Sequence, residues 1–169
     1  MTQKFDWSAP IEPGHGMLGL TLGVSLDCVR SLLGTDGNII ALPHSPKLIV
    51  DYKNEQLAFL RAKEMMNCHY DWQNIMARMM FEGGALVGMM VHGSVGDEAY
   101  TYKGKLFGKV GLGSPISELQ DFGRFEYDDV EEVFYSGQWI GIEIGGAGAC
   151  DLSVDPSQHV TSFKVFRVK

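Results

Sequence analysis

The sequence predicts an α+β protein built from two repeats of one helix plus four antiparallel strands. We expect these repeats to form two packed or half-barrel-like antiparallel sheets with two short helices. Three observations lead to this fold. Segments beginning at Leu22 and Leu112 resemble each other. Apolar residues at helical spacing follow each segment. Pairs of strand-like runs, separated by turn residues, come after each helix.

The helix in each repeat is bounded by residues typical of helix ends. Ser25 is a favourable N-cap and Pro115 a favourable first-turn residue, while Gly34 and Gly123 suit helix termination. The apolar residues at helical spacing are Leu26, Val29, Leu32 and Leu33 in the first repeat and Ile116, Leu119 and Phe122 in the second.

Four strands are predicted after each helix, paired as two hairpins. Gly83-Gly84 marks a tight turn because glycine tolerates positive φ, and Asp155-Pro156 is also typical of a turn. Residues 61–72 are not assigned, since they could form a strand, a helix or a connector. The predicted strands are 48–52, 56–60, 75–81 and 86–91 in the first repeat, and 132–135, 138–144, 150–154 and 160–168 in the second.

Length and composition favour one domain covering residues 1–169, with repeats at 15–93 and 104–168. Hydrophobic residues make up 45% of the chain and charged residues 21%, which excludes wholesale disorder. No apolar run approaches the ~20 residues of a membrane-spanning helix, and the first residues lack the apolar stretch of a signal peptide. Three widely spaced cysteines do not suggest a disulfide framework. We therefore expect a cytoplasmic protein without membrane contact.

The net charge of −7 is concentrated in one window, from Glu118 to Glu143. That window holds eight acids and one base, Arg124, so it accounts for the whole excess. An acidic protein repels the phosphate backbone, which argues against direct nucleic-acid binding. The window is either a solvated loop that keeps the protein soluble or a surface that attracts a basic partner.

Motifs for catalysis, metal binding and cofactors are not found. No histidine pair has metal-ligand spacing, and the glycine-rich segment 145–150 lacks the Gly-Lys-Ser/Thr ending of a phosphate loop. No Gly-x-Ser-x-Gly nucleophile elbow occurs. A Cys-His pair assembled only in space stays possible. We therefore expect no catalytic residues, no metal, no cofactor and no enzyme activity.

Aromatic residues accompany the acids, as is typical of protein interfaces, although tyrosine is also an ordinary strand residue. The residues predicted to bind a partner are Glu118, Asp121, Glu126, Tyr127, Asp128, Asp129, Glu131, Glu132 and Tyr135.

The glycine turns that open each repeat carry a family resemblance. Gly19-Leu20-Thr21-Leu22-Gly23 with Gly34, and Gly111-Leu112-Gly113 with Gly123, resemble small immunity proteins of contact-dependent growth inhibition and polymorphic toxin systems. A similar motif opens small α/β outer-membrane assembly lipoproteins, from which this sequence departs in having no lipidation cysteine near its start. The resemblance implies a protein that neutralises one cognate toxin, typically a nuclease with a cationic cleft, by covering its active site.

Two alternatives remain open. Eight antiparallel strands could curve around a cavity for a small apolar ligand, lined by the methionine-rich segment 65–90, which would make the chain a carrier or an enzyme. An assembly partner of surface proteins is the other alternative, and the lack of an export signal argues against it.

Overall fold

A computed structural model describes residues 3–41, 47–63, 73–93 and 98–168. Over these residues the chain is mostly β, with one nine-stranded antiparallel sheet and one two-stranded sheet. The strands are β1 (Gly16–Met17), β2 (Leu20–Thr21), β3 (Ile39–Ile40), β4 (Leu48–Asn54), β5 (Leu57–Ala62), β6 (Ile75–Glu82), β7 (Ala85–His92), β8 (Glu126–Asp128), β9 (Val133–Tyr135), β10 (Ile142–Gly146) and β11 (Val160–Phe166). The helices are α1 (Leu26–Leu33) and the 3₁₀ helices Glu98–Tyr100 and Ile116–Phe122.

The prediction of two repeats of helix plus four strands, forming two sheets, is wrong. The large sheet has the order β3-β4-β5-β6-β7-β11-β10-β9-β8. The strands of the first half and those of the second half are joined because β7 pairs with β11 in a register running from Ser162 opposite His92 to Phe166 opposite Gly88. These two strands satisfy each other's backbone hydrogen bonds, so the sheet continues where the prediction had a boundary. The boundaries predicted for the two repeated segments, 15–93 and 104–168, are a separate prediction, which the strand order does not test.

The second half also differs in which segments are strands. The predicted strand 150–154 lies in turns, whereas β8 was not predicted. The buried side chain of Gln158 explains the turns: its Nε2 donates to the carbonyls of Cys150 at 2.7 Å and Asp155 at 3.2 Å, and its Oε1 accepts from the Gly148 amide at 3.3 Å. The segment is thereby folded back on itself, and β10 pairs directly with β11.

The two predicted helices form, but they differ in type. Ser25 caps α1 as expected, since its Oγ accepts from the Cys28 amide at 3.1 Å, and the helix ends at Gly34 with φ 89°. The second helix is 3₁₀ rather than α, and Pro115 provides no side-chain cap. The buried residues of both helices belong to one hydrophobic cluster with the inner face of the sheet.

Both helices are entered through the same hydrogen-bond pattern. Gly23 donates to the Leu86 carbonyl at 2.7 Å, and Leu86 donates back to the Val24 carbonyl at 2.8 Å. Likewise Gly113 donates to the Val160 carbonyl at 2.8 Å, and Val160 donates to the Ser114 carbonyl at 2.9 Å. Each helix start is therefore fixed to the first residues of β7 or β11.

A row of paired apolar residues runs across the inner face of the sheet and forms the centre of the core. Each member lies opposite the next on the neighbouring strand. All are fully or almost fully buried except Tyr127 at the edge, which is half-buried. The row consists of Val50, Leu60, Ala77, Val91, Phe163, Ile144, Phe134 and Tyr127.

No helix in the described part of the chain is both long and apolar enough to cross a membrane. The sequence left residues 61–72 unassigned. Of these, residues 64–72, which include Cys68, lie outside the described residues. Arg61 and Ala62 belong to β5.

Candidate protein-binding surface

The predicted partner-binding residues centre on the acidic hairpin, which we define as residues 126–135. It consists of β8 and β9 joined by a turn, with Glu126 opposite Tyr135, Tyr127 opposite Phe134 and Asp128 opposite Val133. Strand β8 forms one edge of the nine-stranded sheet. The hairpin therefore lies at the edge of the sheet, and β10 separates it from β11.

The turn is held in shape by Asp128. Its Oδ1 accepts hydrogen bonds from the backbone amides of Val130 at 2.9 Å and Glu131 at 3.1 Å. Glu132 follows with a positive φ of 55°, which directs the chain back into β9. Asp128 thus has a local structural role besides its charge, while Asp129, Glu131 and Glu132 are exposed on the same turn.

Three acids of the window are neutralised by neighbouring bases, which the sequence did not reveal. Their ion pairs are Asp121 with Lys109 at 2.7 Å, Glu126 with Arg124 at 2.7 Å and Glu143 with Lys164 at 2.6 Å. The hydrogen bond that Lys109 donates to Asp121, together with the charges of Asp121 and Glu118, raises the pKa of Lys109. The predicted residues Glu118 and Asp121 therefore surround a base rather than extending the acidic surface.

Four carboxylates of the hairpin form no ion pair with any residue that the structure describes: Asp128, Asp129, Glu131 and Glu132. Three of them act electrostatically on the phenol of Tyr127. Partial burial raises the pKa of Tyr127, and the negative charges of Glu132, Asp129 and Asp128 raise it further, with a contribution from Cys150. The negative charge of the window is thus gathered at the turn of the acidic hairpin.

The two predicted tyrosine anchors lie on opposite faces of the hairpin. Tyr127 packs against the buried ring of Phe134, with ring centroids 5.1 Å apart, so it belongs to the edge of the core. Tyr135 is 40% exposed, and its hydroxyl donates to Glu126 Oε2 at 3.2 Å. Only Tyr135 is therefore positioned to contact a partner from the outer face.

Sequence reasoning missed Val130, which is 83% exposed in the middle of the turn. A single apolar residue between two pairs of acids was a readable signal, because interfaces combine an apolar centre with a polar rim. The arrangement offers negative charge around one apolar contact, which suits binding of a cationic surface.

Metal ligands and free thiols give no candidate site among the described residues. No group of three or more His, Cys, Asp and Glu side chains there is arranged to hold a metal ion. Cys28 and Cys150 are free thiols in the described part of the chain. Met79, Leu86 and Met89, from the segment that the carrier hypothesis places around a cavity, are fully buried.

Comparison with known proteins gives little. No family model and no curated protein matches the sequence. A crystal structure of a cysteine-rich secretory protein from Staphylococcus aureus subsp. aureus Mu50 is similar at 12% identity with a TM-score of 0.40. The match covers 96% of this chain and 51% of that one, so this chain spans about half its length. At that TM-score the two chains are not shown to share a fold, and we infer nothing about function from the match.

Proposed function

We propose that this chain is an immunity protein that binds a positively charged toxin domain through the acidic hairpin and covers its active site. The observation that supports this most directly is the group of carboxylates at the turn of the hairpin that have no ion-pair partner among the described residues. Like charges held together in one short turn repel each other, so their placement is costly unless a cationic partner compensates them.

The target class follows from charge and from the family resemblance. A nuclease binds the phosphates of its substrate in a cationic cleft, and carboxylates at the tip of a hairpin would occupy the same positive sites. Charge of one sign gathered on an exposed turn also accelerates encounter with an oppositely charged surface. We therefore propose a ribonuclease or deoxyribonuclease domain as the target, met in the cytoplasm.

Affinity requires more than charge, because exposed ion pairs contribute little each. Val130 at the centre of the turn and Tyr135 on the outer face are the exposed apolar and aromatic groups of the acidic hairpin. Burying them against the partner would form the desolvated centre of the interface, from which the surrounding contacts exclude water. Asp129, Glu131 and Glu132 would then form the charged rim.

The experiment is a growth rescue. The open reading frame directly upstream of this chain's gene is expressed alone and together with this chain in a bacterial host. We expect the upstream product to arrest growth, co-expression to restore it, and the purified pair to form a complex with loss of nuclease activity. An upstream product that is harmless, or toxic regardless of this chain, would contradict the proposal.

A matched pair of variants tests the surface. Neutralising the hairpin by Asp129→Asn, Glu131→Gln and Glu132→Gln leaves the turn-forming Asp128 in place and should abolish or strongly reduce rescue.

The control variant removes the same charge from the first half, by Glu12→Gln, Asp27→Asn and Glu55→Gln, three exposed acids remote in sequence from the hairpin. It should rescue like the wild type. Equal rescue by both variants would show that the acidic hairpin is not the binding surface.

A further inference from the structure

The outer face of the sheet, opposite the core, brings three polar side chains together from three strands. Arg78 on β6 lies opposite Met90 on β7, and His92 is two residues further along β7, so it points to the same face. Ser162 on β11 lies directly opposite His92. A guanidinium, an imidazole and a hydroxyl are therefore neighbours on adjacent strands.

These three side chains line a surface pocket of about 220 Å³, together with Ile75 and Thr161 among others. We call it the Arg78 pocket. Sites for drug-sized ligands usually measure ~300–1,000 Å³, so the Arg78 pocket fits a smaller group.

The positive charge of Arg78 has no counter-ion among the described residues. Two acids lie on the same cross-strand row of the sheet as Arg78, and both are already engaged, since Asp51 pairs with Arg61 and Lys53 and Glu143 pairs with Lys164. The guanidinium of Arg78 lies 5.9 Å from the ring centre of Phe59, which supplies an aromatic contact but no negative charge.

Two nitrogens of this cluster are buried without a hydrogen-bond partner: Arg78 Nε and His92 Nε2. Such atoms are rare in folded proteins, and each calls for an explanation, such as an absent ion or ligand. Burial, and to a smaller extent the Arg78 charge, lower the pKa of His92 to about 4. The imidazole is therefore neutral at neutral pH, and Arg78 is the single cation of the cluster.

We propose that the Arg78 pocket binds a small oxyanion, a carboxylate or a phosphate group, against the Arg78 guanidinium, with Ser162 and His92 beside it. A planar guanidinium presents its donors in the geometry that carboxylate and phosphate oxygens accept. The bound anion supplies the counter-charge that the sheet face lacks. This site is separate from the acidic hairpin and does not depend on the proposed immunity function.

The test is a titration of the ¹⁵N-labelled full chain, followed by NMR, with inorganic phosphate and with acetate in separate arms. Sodium chloride at the same ionic strength controls for general screening. We expect saturable shifts of the Gly93, Thr161 and Ser162 amides and of the His92 ring with at least one oxyanion. The arm that saturates at the lower concentration identifies phosphate or carboxylate as the preferred ligand.

Arg78→Gln removes the charge and should weaken binding ~10-fold or more, since hydrogen bonds to a charged group are the strong ones. Arg167→Gln makes the same chemical change at an exposed arginine just beyond β11 and should leave binding unchanged.

Should Arg78→Gln fail to fold, Ser162→Ala replaces it, with a severalfold loss expected. The proposal is overturned if neither oxyanion gives saturable shifts in the wild type, or if the shifts persist unchanged in the folded variant of Arg78 or Ser162.

Discussion

Asp128 Oδ1 accepts a hydrogen bond from the Val130 amide at 2.9 Å, across the turn of the acidic hairpin. This contact distinguishes Asp128, whose carboxylate stabilises the turn, from the neighbouring acids, which contribute negative charge but no hydrogen bond to the turn. Asp128→Ala removes the acceptor of two backbone amides, so we expect a loss of ~0.5–2 kcal/mol in the free energy of unfolding, as for a helix cap. Urea unfolding measures it.

Asp129→Ala is the control for this substitution, because it removes the same charge without any turn hydrogen bond. Its effect on the free energy of unfolding should stay within ~0.5 kcal/mol. Equal losses in the two variants would mean that the hydrogen bonds of Asp128 do not stabilise the hairpin.

The unpaired acids of the hairpin should act mainly on the association rate. For the proposed toxin complex, the triple neutralisation of Asp129, Glu131 and Glu132 should lower the association rate constant ~10-fold or more at low salt, because it removes electrostatic steering. The rate should also become less sensitive to salt. Stopped-flow mixing over a salt series measures both, and an unchanged salt dependence would count against steering by this turn.

Val130→Ser should act on the dissociation rate instead. The side chain is 83% exposed in the free protein, so the substitution should leave the unfolding free energy within ~0.5 kcal/mol. Loss of an apolar contact at the centre of an interface should speed dissociation, since most interface substitutions change the dissociation rate rather than the association rate. Surface plasmon resonance with the toxin domain measures the dissociation rate. An unchanged rate in Val130→Ser would show that Val130 is not part of the contact.

The stability of the protein should depend on pH through His92. Its pKa is about 4 when folded, against 6.5 ordinarily, so the unfolded chain binds more protons between these values. The free energy of unfolding should therefore fall as the pH drops from about 6.5 to about 4, by about 3 kcal/mol from this group. In the His92→Gln variant, the free energy of unfolding measured by chemical denaturation should decline less steeply over the same pH range. Parallel declines in the variant and the wild type would show that His92 does not cause the pH dependence.

Tyr102 should be important for fixing the N-terminal segment. Its buried hydroxyl accepts from the Leu18 amide at 3.0 Å and donates to the Ala9 carbonyl, and burial raises its pKa. Tyr102→Phe leaves both backbone groups without this partner, so we expect a loss of ~1–3 kcal/mol in the unfolding free energy. Tyr135→Phe, at a 40% exposed site, should cost far less, and similar losses would refute this role.

Local patterns in the sequence determined the elements whose signals lie within a few residues. The cap at Ser25, the apolar spacing of α1 and the Gly83-Gly84 turn between β6 and β7 depend on near neighbours, and the structure has all three. The window of negative charge is likewise a property of the sequence alone.

Tertiary structure decided the features that depend on distant partners. Gln158 turns the predicted strand 150–154 into a folded loop, and Lys164 neutralises Glu143 from 21 residues away. The pairing of β7 with β11 makes one sheet and places Ser162 opposite His92. Strand register and long-range ion pairs arise only when segments far apart in sequence meet, and periodicity along one strand does not encode which strand it will meet.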